Sequence, residues 1–195
     1  MTKLRQTPSQ TVGPYFAFGL ASEQYGYQQF LSSLATSDMA PPAVEGPRMR
    51  VEGQVFDGTG AVVSDALIEI WQADSLGRYA HPADPRGSNS NFRGFGRCGT
   101  GTDSAKKFWF NTIRPGASAA GEAPHLNVIV TMRGLLLHAY TRIYFPNDPA
   151  NATDPVLNTV PADRRPTLIA TDQGNGVYRF DIHMQGEKET VFFDA

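Results

Sequence analysis

The chain reads as all-β, a β-sandwich carrying an N-terminal arm, long loops and one or two short helices. Three observations point there. Apolar residues alternate with polar ones or gather in short runs, Gly, Pro, Asn or Asp separate the runs, and no long segment sustains a helical period. At 195 residues the chain is long enough for one domain with its own core.

The first predicted strand starts at Arg48, where Met49, Val51, Gly53 and Val55 alternate with Arg50, Glu52 and Gln54. Asp57-Gly58-Thr59-Gly60 follows as a tight turn. A second strand is expected over 66–73, with Leu67, Ile68, Ile70 and Trp71, and others over 107–113, 126–132, 135–145, 167–171 and 177–184. Helix signals are weaker. Residues 22–34 suit a short helix despite Gly26, and 161–165 suit one or two turns with Pro161 at the first helical position. Residues 36–47, with Pro41, Pro42, Gly46 and Pro47, form an extended connector. The expected layout is one domain over 1–195, with arm and connector at 1–47 and the sheet core at 48–195. Residues 75–101 and 114–124 are expected to be long functional loops, the first ordered by Tyr79, Phe92 and Phe95.

Seventeen Lys+Arg against 19 Asp+Glu give a net charge of −2. That balance lacks the basic excess that nucleic acid or an anionic membrane surface demands. No apolar run approaches the ~18–20 residues of a membrane span, and the polar start has no leader-like core, so the chain is expected to be cytoplasmic. A lone cysteine, Cys98, excludes an internal disulfide or a cysteine-rich metal cluster. Arg97 beside it would lower its pKa, but with no His or Asn partner in view the thiol reads as structural. Gly94 to Gly99 matches G-x-G-x-x-G, yet a strand-like run follows where a dinucleotide site needs a helix. Asn151-Ala152-Thr153 is a chance glycosylation sequon. Of the histidines, His138 and His183 read as packing or sheet-face residues and His81 as solvated. His125 opens a strand in a His-x-Asn arrangement, half of a two-toothed metal clamp, and reads as a plain hydrogen-bonded histidine ahead of a metal ligand.

Several segments together resemble the intradiol ring-cleaving dioxygenases, in particular the alpha subunits of those built from alpha and beta chains. They are Thr7-Pro-Ser-Gln-Thr-Val-Gly-Pro-Tyr15, Gly53-Gln-Val-Phe-Asp-Gly58, Ile68-Glu-Ile-Trp-Gln-Ala-Asp74, Phe108-Trp-Phe-Asn-Thr-Ile-Arg-Pro-Gly116, Ala123-Pro-His125, Arg142-Ile-Tyr-Phe145 and Gln185-Gly-Glu-Lys-Glu-Thr-Val-Phe-Phe-Asp194. The resemblance implies a non-haem Fe(III) held by two tyrosinates and two histidines, and O₂-dependent opening of a catechol ring between its hydroxylated carbons. Of the four ligand positions, Tyr79 and His125 match, whereas Ser118 stands for the second tyrosine and Asn127 for the second histidine. Glu122 occupies the place of an arginine that stabilises the opening substrate. Serine and asparagine are poor donors to Fe(III), so the resemblance implies vestigial ligand positions, no metal in this chain and Fe(III) in a partner beta chain.

By the same resemblance the arm Thr11-Val12-Gly13-Pro14-Tyr15 and Arg133 line the beta chain's pocket, Arg133 meeting the carboxylate of protocatechuate. An obligate heterodimer within a higher oligomer is implied, and Phe192-Phe193 suit either such an interface or an edge-strand core. Without the resemblance Arg133 is an ordinary hairpin-turn arginine. Two other readings stay open, a self-sufficient iron enzyme and a non-enzymatic β-sandwich binding module.

Overall fold

The structure, a computed structural model, describes residues 8–13, 15–27, 34–87 and 91–194. Two sheets pack face to face. The first contains β1 (Arg48–Phe56), β4 (Lys107–Ile113), β7 (Thr171–Asp172), β8 (Val177–Arg179) and β9 (Ile182–His183), in the order β4-β1-β8-β7 with β9 also on β1. The second contains β2 (Leu67–Trp71), β3 (Phe95–Gly99), β5 (His125–Thr131) and β6 (Ala139–Tyr144), in the order β3-β2-β5-β6 and antiparallel throughout. Alternation does what it promised in β1: Met49, Val51 and Val55 face inward with Phe108 and Phe110 of β4. They meet Ile68, Ile70, Leu126, Val128, Val130 and Ile143 from the other sheet. Burial of these branched and aromatic side chains is the main force holding the layers together.

Several expectations are corrected. The predicted loop 75–101 ends in a strand, β3, whose inward positions are Gly96 and Cys98. A glycine has no hydrophobic signal, yet here it is needed because Met39 lies where a Cβ would go. Most of the G-x-G-x-x-G string therefore lies on β3 rather than in the loop expected for it. Cys98 is buried, and burial pushes its thiol up; Arg97 projects from the other face of β3 to Glu69 at 2.5 Å, so it does not lower the thiol as expected. In the run 135–145 only Ala139–Tyr144 is strand, and Leu136, Leu137 and His138 are exposed in the preceding turn. The run 177–184 breaks between β8 and β9, and the strand expected over 167–171 begins as a 3₁₀ turn, Arg165–Leu168, which displaces the helix expected at 161–165.

The helix expected over 22–34 is not found in its described part, 22–27, which is a series of turns; 28–33 lie outside the described residues. A short α-helix, α1 (Phe16–Leu20), precedes it and packs Ala17, with Ala21, on Leu67 of β2. Gln24 then donates to the Gly99 carbonyl and accepts from the Gly99 amide, both at 2.8 Å, so its amide pairs with the edge of β3 as a neighbouring strand would. Phe192 and Phe193 pack on the hydrophobic core, with the Phe193 amide donating to the Tyr140 carbonyl at 2.8 Å. No helix among the described residues is long and apolar enough to cross a membrane.

One buried amide fastens the two sheets where the functional loops begin. Gln72, fully buried, donates to the carbonyls of Ala73 and Ile113 at 3.0 Å each and accepts from the Thr112 hydroxyl at 2.7 Å. Gln72→Leu is expected to keep the volume but strand these polar groups without water, lowering stability by about 2 kcal/mol or more. A shift of the urea midpoint at unchanged slope would measure it; no shift would show that the amide bridges nothing of consequence.

Candidate functional site

Since alternate residues of the second sheet are committed to the core, the others must line its outer face. On β5 these are His125, Asn127, Ile129 and Thr131; on β2, Leu67, Glu69 and Trp71; on β6, Tyr140, Arg142 and Tyr144. The register sets Asn127 between Trp71 and Arg142, and His125 opposite Tyr144.

A turn after β2 brings Tyr79 over this end of the face. Asp74, 2% exposed, is its hub: the carboxylate accepts from the amides of Leu76 and Arg78 at 2.9 and 3.0 Å and from Arg78 Nε at 2.8 Å. Its carbonyl accepts from the amides of Gly77 at 3.0 Å and Gly116 at 2.9 Å, so the same residue anchors the loop after β4. Gly77 has φ +78°, and a Cβ there would run into the Ala117 carbonyl, so the two loops touch only because it is glycine. Arg86 clamps the arrangement, pairing with Asp84 at 2.7 Å and donating to the carbonyls of Gly77 and Ser118 at 2.9 Å each.

These loops bring three of the expected ligand positions, Tyr79, Ser118 and Asn127, into contact, while His125 lies two residues along β5 on the same face, against Tyr144. Asn127 Nδ2 donates to the Tyr79 hydroxyl at 3.1 Å, the Ser118 hydroxyl acts on the same phenol, and it also donates to the Glu122 carboxylate. Trp71 stacks on Tyr79 with ring centres 5.7 Å apart. Behind them Arg142 donates to the Tyr144 hydroxyl at 3.3 Å, and that hydroxyl donates to Asp154 at 3.0 Å.

The electrostatics keep the donors neutral. Burial pushes the Tyr79 phenol up, against hydrogen bonds that pull it down, so it stays protonated at neutral pH. Burial, helped by the charge of Arg142, pushes the His125 imidazole down. Its Nδ1 lies 2.8 Å from the Ala123 carbonyl, which only accepts, so that nitrogen carries the proton. Fe(III) wants hard anionic ligands, whereas this cluster offers one phenol, one imidazole, a hydroxyl committed to Glu122 and an amide that presents its N–H. The set does not fit a ferric ion. Among the described residues no group of three or more His, Cys, Asp or Glu could hold a metal ion either.

A second set of expected residues gathers elsewhere. The Gly134 amide donates to Thr11 Oγ1 at 2.8 Å, which pins the arm to the turn carrying Arg133. Gly13 has open space around it, and Tyr15, 75% exposed, leans on Phe18 with ring centres 5.7 Å apart. Pro14 lies outside the described residues. His125 and Thr131 stand at the two ends of β5, about 20 Å apart at the usual rise per residue. Arg133 and the arm are thus remote from the Tyr79 cluster.

Residues 21–186 match the protein family described as Dioxygenase. The chain belongs to the intradiol dioxygenase family. It is 56% identical to the protocatechuate 3,4-dioxygenase alpha chain of Burkholderia cepacia, over the whole length of both. It is 36% identical to the beta chain from the same organism, over 74% of this chain and 67% of that one. Among solved structures, the dioxygenase domain of a carbohydrate-binding fusion protein from Streptomyces sp. SirexAA-E superposes with a TM-score of 0.60 at 25% identity, covering 92% of this chain and 97% of that one.

Sequence reasoning did not anticipate the residues that hold the loops around Tyr79. Arg86 and Asp154 carried no motif of their own, and nothing in the sequence signalled them.

His125 makes the cluster pH-sensitive. Its folded pKa lies below the ordinary value of about 6.5, so the unfolded chain takes up the proton first. The stability that neutral His125 allows is present above about pH 6.5 and drains away as pH falls through that value toward the folded pKa. Wild type is expected to lose urea resistance between pH 7.5 and 5.5 more steeply than His125→Gln; parallel pH profiles would refute the assignment.

Proposed function

We propose that the chain is the alpha subunit of a protocatechuate 3,4-dioxygenase, binds no iron itself and completes the substrate pocket of a beta chain that holds Fe(III). One observation carries this reading: the Gly134 amide donates to Thr11 Oγ1, which ties the arm to the turn bearing Arg133 past the end of β5 opposite His125. A guanidinium that far away cannot serve a substrate at Tyr79, so it serves a pocket in another chain. The donor chemistry at Tyr79, Ser118, His125 and Asn127 supports the same division of labour.

Each residue then has a role. Arg133 offers a two-pronged donor to the carboxylate that distinguishes protocatechuate from catechol. Gly13 lets backbone approach the ring, and the Tyr15 side chain closes the pocket wall against water. Ring opening with O₂, to 3-carboxy-cis,cis-muconate, takes place in the beta chain's iron pocket. Exposed Tyr15, Phe16, Leu136 and Leu137 supply apolar surface for an obligate heterodimer.

The chain purified alone is expected to hold no stoichiometric iron and to consume no O₂ with protocatechuate, and to support both when combined with a beta chain. Iron and turnover in the chain alone would overturn the reading. In the assembled enzyme Arg133→Ala is expected to raise KM for protocatechuate roughly tenfold or more, the scale of one charge-assisted hydrogen bond. An unchanged KM would remove Arg133 from the pocket.

A further inference from the structure

The β2–β5 ladder pairs Leu67 with Thr131, and the same antiparallel register carried two residues further sets Asp65 across from Arg133. Their side chains meet there: the Asp65 carboxylate accepts from Arg133 Nε. The two are unequally exposed, 23% for Asp65 and 60% for Arg133, so one end of the pair is held and the other reaches outward. Asp65 is held because its backbone neighbours are tied to buried Thr100. The Thr100 hydroxyl donates to the Val63 carbonyl at 3.0 Å and accepts from the Ala66 amide at 3.2 Å, while the Thr100 amide donates to the Ala66 carbonyl at 2.9 Å.

Arg133 sits on a four-residue turn, closed by the Leu135 amide on the Met132 carbonyl at 3.3 Å, with Gly134 at φ +92°. The turn is in turn fixed to the arm through Thr11 Oγ1. A long side chain on such a turn would otherwise sample many rotamers, and ordering it on substrate arrival costs affinity. Among the described residues Asp65 occupies the Nε edge and leaves the Nη1–Nη2 end unpartnered, which is the end that grips a carboxylate in two parallel hydrogen bonds.

We propose that Asp65 is a positioning residue for substrate selection: it holds Arg133 by Nε so that the outer fork of the guanidinium is presented to the substrate carboxylate. This rests on the assignment of Arg133 to the partner's pocket. Asp65 never touches substrate; its contribution is confined to ligands that carry a carboxylate.

The test uses the assembled alpha–beta enzyme with Asp65→Asn, Asp65→Glu, Arg133→Ala and the double variant Asp65→Asn/Arg133→Ala. Asp65→Asn is expected to raise KM for protocatechuate about two- to fivefold, the worth of one partly exposed ion pair, with kcat unchanged. The KM or inhibition constant of catechol, which has no carboxylate, should not move. Asp65→Glu should restore part of the loss, and the double variant should match Arg133→Ala alone. If Arg133→Ala raises KM while Asp65→Asn does not, the positioning role is wrong and the pocket assignment stands. If catechol weakens equally on Asp65→Asn, Asp65 merely supports the fold. If Arg133→Ala leaves KM for protocatechuate unchanged, the pocket assignment fails and the role of Asp65 falls with it.

Discussion

The register of β5 between β2 and β6 is the constraint on which both clusters of this chain depend. A strand has two faces, and the inner face of β5 is taken by Leu126, Val128 and Val130 in the core. A slip of one residue would exchange these for His125, Asn127 and Ile129, so burial locks the register and with it the outward set. At one end that set meets Trp71, Arg142 and Tyr144; past the other end the same pairing lines up Asp65 with Arg133. Two chemically different ends of the molecule thus follow from one alignment.

The cluster around Tyr79 has its own internal logic. An ion can cross-link loops from β2, β4 and β5 by ligating each of them. Here hydrogen bonds perform that linkage: Asn127 to Tyr79, Arg86 to the carbonyls of Gly77 and Ser118, and Asp74 to the amide of Gly116. In these links each polar group meets a neutral or oppositely charged partner, which is what low-dielectric surroundings require. The loops are therefore tied to one another through their own side chains and backbone.

Much of the fold was legible locally. Alternation over 48–56 and 107–113 announced β1 and β4 because one face of each must be apolar. β3 escaped because its inward residues include Gly96, chosen for lack of size against Met39 and so silent in any hydrophobic pattern. Leu136 and Leu137 misled in the opposite direction, since apolar residues in an exposed turn look like strand until their exposure is known. α1 was missed because its stability comes from docking Ala17 on Leu67, far along the chain, rather than from its own five residues.

For the site, the family resemblance singled out Tyr79, Ser118, His125 and Asn127, and residue chemistry then marked Ser118 and Asn127 as poor iron donors, because donor strength belongs to the side chain wherever it sits. Residue chemistry also sufficed for the strand-rich architecture, through a periodicity that each strand carries within itself. Only the tertiary structure could decide which of these residues act together. Thr11 lies 123 positions from Gly134, and Asp65 lies 68 from Arg133, yet each pair is in hydrogen-bond contact. Their meeting depends on ladder register and on where the arm docks, and both are set by burial of the whole core.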